Sequence, residues 1–297
     1  MTTATKTWSS PSGDILLGVI GSPISHSKSP VMHNAGLRAL GIPGAYVPLH
    51  VEQDKVKETI EAIRTLNFRG INVTIPHKLA VIEHLDRVDP AAEAIGAVNT
   101  IVNDNGILTG YNTDGIGYVR SLKSEAVSEL SGRRIMVIGA GGAARGIIDA
   151  LLQEQPSSVV IVNRDEEKAK RLAGSWSSRG DIKGVGLDQI QGYIGGTDIL
   201  INTTSVGMHP HVDDMPIDPD IIPEGIVVSD LIYNPLYTRL LLESRSRRGC
   251  IIHSGVGMFL YQGAYALEYW TGLPAPIEAM REALLGSLGA AEPSVSK

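Results

Sequence analysis

A strand, a glycine turn and a second strand near the middle of the chain narrow its fold more than any other feature. Arg134-Ile135-Met136-Val137-Ile138 is a β-branched run that ends in Gly139-Ala140-Gly141-Gly142-Ala143-Ala144-Arg145, and a second run follows at Val159-Val160-Ile161-Val162-Asn163. Strand, small-residue turn, helix and strand make a βαβ unit, which builds a parallel sheet. The turn fits G-x-G-x-x-[G/A], with Gly139, Gly141 and Ala144 at the three small positions. Gly139 permits the tight turn, Gly141 lets the backbone approach a pyrophosphate, and Ala144 lets the helix lie close to the strand. Residues 139–143 are therefore the candidate pyrophosphate cradle: Gly139, Ala140, Gly141, Gly142 and Ala143. Their anion would meet a helix N-terminus, whose free N–H groups and dipole favour negative charge. Alone the pattern is a common packing turn; in this context it reads as a Rossmann-type dinucleotide site.

The rest of the chain repeats the alternation. Runs such as Gly70-Ile71-Asn72-Val73-Thr74 alternate with helix-like stretches such as residues 54–66, where Val56, Ile60 and Ile63 share one face. Further strands are expected at residues 198–202 and 225–230, and a helix at 257–270. The fold class is α/β: an N-terminal α/β domain with a mainly parallel sheet, then the dinucleotide domain. The expected boundaries are a disordered tail at 1–13, a first domain at 14–115, the dinucleotide domain at 116–253, and C-terminal helices at 254–297 that return to the first domain. Glycines at 115, 117, 255 and 257 flank both crossings, where a hinge would need permissive backbone.

With 43% apolar and 20% charged residues, a chain of 297 has material for two cores. A net charge of -6 argues against broad nucleic-acid binding. No apolar run approaches the ~20 residues that span a bilayer, and residues 1–13 lack the apolar core of a secretory signal. A single cysteine, Cys250, has no intrachain partner, so a cytoplasmic protein is expected. A homodimer is compatible with the sequence, although no exposed apolar stripe marks an interface. His209-Pro210-His211 with Asp213 and Asp214 reads as a loop rather than a metal site, because no second cluster has ligand spacing. His26, His33 and His77 read as structural or peripheral.

The second strand of the βαβ unit bears on the cofactor. It ends Asn163-Arg164-Asp165, with Lys168 one helical turn later. Arg164 and Lys168 would clamp a 2′-phosphate and favour NADP, whereas an acidic residue there favours the 2′-hydroxyl of NAD. Asp165 either opposes the phosphate or caps the next helix. The cap is the expectation adopted, and with it NADP.

Two further stretches place chemistry at strand ends. Asn72-Val73-Thr74-Ile75-Pro76-His77-Lys78 sets a lysine just after a strand and a proline, and Gly110-Tyr111-Asn112-Thr113-Asp114-Gly115 does the same for a carboxylate. Together with Ser22-Pro23-Ile24-Ser25-His26-Ser27-Lys28-Ser29-Pro30, Gly96-Ala97-Val98-Asn99-Thr100 and the glycine turn, they make five motifs in one order. In that order the chain resembles the shikimate dehydrogenases, from about residue 14 to about residue 285. The resemblance implies a substrate domain joined to a Rossmann-type NADP domain, with the active site in the cleft between them; no metal is expected. It also implies NADPH-dependent reversible reduction of 3-dehydroshikimate to shikimate. Lys78 and Asp114 match the catalytic pair. Ser27 and Ser29 match serines that bind the substrate carboxylate, while Thr74, Asn99 and Gln262 match groups for carboxylate or ring hydroxyls. Tyr233, in Asp230-Leu231-Ile232-Tyr233-Asn234-Pro235, is expected near substrate and nicotinamide, with Gly255 and Met258 as nicotinamide neighbours.

Hydride delivery to a ketone leaves negative charge on oxygen, which a lysine within reach stabilises and then protonates. Three rivals follow from the same residues. Asp165 admits a dual quinate/shikimate dehydrogenase using NAD. Glutamyl-tRNA reductase shares the NADP domain but needs a nucleophilic cysteine before the glycine turn, and Cys250 lies late. A non-catalytic ligand sensor should lack Lys78 or Asp114, and both are present.

Overall fold

A computed structural model describes residues 14–289; the tail expected at residues 1–13 lies outside them. The described residues divide into two compact units, residues 14–113 with 260–289, and residues 114–259.

The first unit opens with β1 (Ile15–Gly21), α1 (Ser29–Ala39), β2 (Gly44–His50), α2 (Val56–Thr65) and β3 (Gly70–Val73). It continues through β4 (Arg87–Val88), α3 (Pro90–Ile95), β5 (Thr100–Asp104) and β6 (Ile107–Tyr111). Its sheet runs β2-β1-β3-β5-β6-β4. β1 pairs in parallel with β2 and β3, and β4 with β6, whereas β5 is antiparallel to both its neighbours. α2 covers the sheet with Val56, Ile60 and Ile63, all buried. Pro48, which cannot donate to a ladder, sits in the edge strand β2. α3 is a helix of only six residues with firm ends: Asp89 Oδ1 accepts from Ala91 N, Pro90 opens it, and Gly96 closes it at φ 72°.

The second unit contains α4 (Asp114–Glu125), β7 (Arg134–Ile138), α5 (Gly142–Gln153), β8 (Ser158–Asn163), α6 (Glu166–Gly174) and β9 (Ile182–Gly186). It continues with α7 (Gln191–Ile194), β10 (Ile199–Asn202), β11 (Val227–Asp230), α8 (Arg239–Arg248) and β12 (Ile251–His253). The strand order β12-β11-β10-β7-β8-β9 is parallel throughout. This is the doubly wound arrangement, and its order reverses between β7 and β10, where ligands of such sheets bind.

α9 (Gly255–Thr271) begins in the second unit and ends in the first, and α10 (Ile277–Ser287) packs on α1. The first-unit end of α9 is anchored by Trp270, which is fully buried and donates from Nε1 to Ile101 O at 2.9 Å. Arg69 closes the same corner, donating from Nε to Trp270 O at 2.7 Å and from Nη1 to Asn103 O at 2.7 Å.

The glycines at 115, 117, 255 and 257 take ordinary helical backbone. All four lie inside α4 or α9, and none has positive φ. Close packing explains Gly115 and Gly257: a Cβ would stand 2.2 Å from Gly146 O in the first case and 2.0 Å from Ser121 Oγ in the second. They let neighbouring backbone and side chains approach at short range.

Candidate active site

In the first unit the register gathers four loops at one sheet edge. β1 and β3 run in parallel with Ile20 opposite Val73, so residues 22–29 and 74–78 leave from the same side. β5 is antiparallel with Thr100 opposite Asn72 and Tyr111, so Asn99 enters, and residues 112–113 leave, at that side too. Hydrogen bonds tie the loops together. Thr74 N donates to Ile20 O at 3.0 Å and Ser22 N to Ile75 O at 3.2 Å. Val98 N donates to Lys78 O at 2.9 Å, and His77, buried, lies with Nε2 at 2.7 Å from Val51 O. The backbone of Lys78 is thus fixed beside Asn99, and its side chain is half-buried.

Asn99 is 2% exposed and is the hub of this edge. Its Oδ1 accepts from Thr113 N at 2.8 Å and from Thr100 Oγ1 at 2.9 Å, while its Nδ2 donates to Thr113 Oγ1 at 3.0 Å. Asn72 backs it, donating to Asn99 O at 3.2 Å and accepting from the Tyr46 hydroxyl at 2.7 Å. Ser29, buried, opens α1, and its N–H donates to Ser27 Oγ at 3.3 Å. Gln262 precedes Gly263, where a Cβ would meet Met32 at 2.3 Å, so α9 lies directly against the helix that Ser29 opens. Ser27, Ser29, Thr74, Lys78, Asn99 and Gln262 all belong to the first unit.

Asp114 and the remaining candidates belong to the second. Asp114 opens α4 directly after Thr113, where its charge suits the helix dipole. Gly139 has φ 110°, and a Cβ there would lie 2.5 Å from Thr203 Oγ1. Gly141 and Gly142 have nothing within 4 Å of where a Cβ would be, and α5 has no side-chain cap. An open cradle over an uncapped helix start fits the pyrophosphate of a dinucleotide. Gly139→Ala is accordingly expected to weaken NADPH binding by roughly tenfold or more, read by fluorescence titration, because alanine tolerates neither the φ nor the space. Unchanged affinity would remove Gly139 from the cradle.

Arg164 and Lys168 are exposed beside that cradle, at the end of β8. Asp165 caps α6: its Oδ1 accepts from Lys168 N at 3.2 Å, and Asn163 Nδ2 donates to Asp165 O at 2.9 Å. The carboxylate also stands 3.9 Å from Lys168 Nζ, so it shares that cation. Tyr233 is half-buried against Phe259, the ring centroids 4.7 Å apart, and burial raises its hydroxyl pKa. Gly255 N donates to Ile232 O at 3.1 Å, and a Cβ on Gly255 would be 2.1 Å from Leu231 O. Met258 packs on the core of this unit, one turn further along α9.

Sequence reasoning passes over Thr113, Thr203 and the buried pair Asn202 and Asp230. Thr203 Oγ1 donates to Ile138 O at 2.8 Å and walls the glycine turn. Asp230 is fully buried; burial pushes its carboxyl up to about 6, against the pull of its hydrogen-bond donors. A polar run ending an apolar strand, Asn202-Thr203-Thr204-Ser205, is the signal that would have found Asn202 and Thr203.

Three family models match along the chain. The shikimate dehydrogenase substrate binding domain covers residues 19–101, shikimate / quinate 5-dehydrogenase residues 121–213, and the shikimate 5′-dehydrogenase C-terminal domain residues 255–285. A shikimate dehydrogenase (NADP(+)) of Geobacillus sp. (strain WCH70) is 47% identical over 92% of this chain and 98% of its own. A shikimate dehydrogenase crystallised with NADP+ superposes with a TM-score of 0.86 at 37% identity, covering 95% of this chain and 99% of its own. The Thermus thermophilus enzyme, in complex with NADP(H) and shikimate, superposes at 0.83 with 34% identity, covering 92% of this chain and all of its own. Near-complete alignment at this identity, with the family's domains matched in order, means that the chain belongs to the shikimate dehydrogenase family.

Proposed function

We propose that the protein reversibly reduces 3-dehydroshikimate to shikimate with NADPH. The observation that carries this reading is the gathering of residues 22–29, 74–78, 99 and 112–113 at one edge of the first sheet. That edge offers hydroxyl, amide and ammonium donors, the groups that a small polyhydroxylated carboxylate calls for. Ser27 and Ser29 donate to the substrate carboxylate. Thr74, Asn99, Tyr233 and Gln262 hold carboxylate or ring hydroxyls, and each hydroxyl so paired rejects an analogue that lacks it.

Bound NADPH supplies the hydride. Lys78 stabilises the charge that builds on the carbonyl oxygen and then donates the proton; in the reverse direction it takes that proton back. Asp114 orients the substrate and the ammonium. Residues 139–143 hold the pyrophosphate, with Arg164 and Lys168 on the 2′-phosphate and Gly255 and Met258 beside the nicotinamide. Asp165 is engaged with the N-terminus of α6, which supports NADP over NAD. The lone buried Cys250 fits a reducing, cytoplasmic setting.

Initial rates with shikimate, NADP and NAD run in parallel, test both parts of this reading. Arg164→Ala is expected to lower kcat/KM for NADP by roughly 10- to 100-fold, the loss of a charge-assisted hydrogen bond, and to leave NAD kinetics unchanged. A wild type that prefers NAD would overturn the role of Arg164, and one inert toward shikimate with both cofactors would overturn the reaction.

A further inference from the structure

Taking a carboxylate out of water is costly, and a buried polar network adds little stability beyond what an apolar core would give. Asp230 therefore calls for a reason, and its partners supply one. Asn202 Nδ2 stands 3.1 Å from both carboxylate oxygens, Ile232 N donates to Oδ1 at 3.1 Å, and Thr238 Oγ1 donates to Oδ2 at 2.7 Å. These donors come from the ends of β10 and β11 and from the loop between β11 and α8. Asn202 uses its other atom on the neighbouring loop, its Oδ1 accepting from Thr204 N at 3.0 Å and Thr204 Oγ1 at 2.8 Å. Ile232 passes the constraint on, since its carbonyl accepts from Gly255 N at 3.1 Å. The loop that carries Tyr233 is thus pinned at Ile232 and again at Thr238, and the start of α9 is pinned through Ile232.

We infer that Asp230 is a positioning residue: it holds Tyr233 and Gly255 where the reaction proposed above needs them, and the inference rests on that reading. It touches neither substrate nor cofactor, and acts by fixing two loops at the edge where the strand order reverses.

The test pairs Asp230→Asn with Thr238→Val and Thr238→Ser. Asparagine keeps the shape but presents an amide N–H₂ where a donor already points. Valine keeps the volume of threonine without its hydroxyl, and serine keeps the hydroxyl. Asp230→Asn and Thr238→Val are expected to lower kcat by at least roughly tenfold while KM for shikimate and Kd for NADPH stay within about threefold, because the pyrophosphate end is held elsewhere. The fluorescence emission of bound NADPH should change in both, and Thr238→Ser should restore kcat to within about twofold of wild type. Folded variants that keep wild-type kcat would overturn the inference, as would a loss of kcat that merely follows a loss of NADPH binding and melting temperature. If the wild type is inert toward shikimate, the proposed reaction fails, and bound NADPH emission still decides: a change in Asp230→Asn supports positioning, no change overturns it. If Asp230→Asn does not fold, the Thr238 pair decides alone.

Discussion

Lys78→Ala should lower kcat for 3-dehydroshikimate reduction by roughly 100- to 10,000-fold, the usual contribution of a placed general acid. The backbone around Lys78 explains why no other group can take over. It is held on both sides, by Val98 N on Lys78 O and by His77 Nε2 beside Val51 O, so neighbouring residues cannot shift to fill the gap. Lys78→Arg should fare almost as badly, because a guanidinium keeps the charge but gives up its proton only far above neutral pH. Asp114→Asn keeps the hydrogen-bonding shape and removes the charge; a fall of about 100-fold in kcat with a smaller rise in KM is expected if it orients the substrate and the ammonium. NADPH affinity should hold in all three, since the cradle is the turn between β7 and α5. Wild-type turnover in Lys78→Ala would remove the lysine from the chemistry, and a parallel loss of NADPH binding would assign it a structural role.

Local signals carried most of this architecture. The apolar positions of α2, the caps of α3 and α6 and the glycine turn after β7 are all decided by residues a few places apart, and each is found where its neighbours require it. The alternatives open at Asp165 were both local, and the N-cap geometry selects one. What could not be read is what depends on distant partners. β5 is antiparallel because the short connections from α3 and to β6 turn it back, and β-branched composition alone does not distinguish the two directions. The close approach of Gly115 to Gly146 and of Gly257 to Ser121 depends on helices far apart in sequence, and glycine permissiveness alone does not show it. Asn99 reads as a turn former, whereas its amide joins Thr100 to Thr113 and so fixes the backbone just before Asp114. Asp230 carried no local signal beyond its place at a strand end.

Mild acid should destabilise the protein, by roughly 3 kcal/mol between pH 7.5 and pH 5. Burial pushes His33 down to about 3, against a smaller upward pull from Asn72, and burial pushes His253 down to about 4. Both are therefore neutral in the fold, while the unfolded chain binds their protons below about 6.5. The fold then holds fewer protons than the unfolded chain, so stability is intact above about 6.5 and falls as the pH drops toward 4. At pH 5 each histidine costs roughly 2 kcal/mol. Asp230 works in the other direction: with its carboxyl raised to about 6 the fold takes up a proton first, which returns roughly 1 kcal/mol at pH 5. Asp86 and Asp198 are held below the usual carboxylate value by Arg64 and Arg134, so they titrate below this window. The net loss of roughly 3 kcal/mol is a large share of the roughly 5–15 kcal/mol of an ordinary fold. His253 sits between Ser121 Oγ at 2.7 Å and Ser229 Oγ at 2.8 Å, with Glu125 3.7 Å away, whereas His33 stacks on Tyr46 at 4.3 Å. His33→Phe keeps that stack and removes the titration, so it separates the two contributions. Urea unfolding at pH 7.5 and 5.0 should show the wild type losing roughly 3 kcal/mol and His33→Phe losing only about 1. A wild type equally stable at both values would mean that water or rearrangement lets these imidazoles protonate in place. A His33→Phe curve that still follows the wild type would leave His253 as the group that sets acid stability.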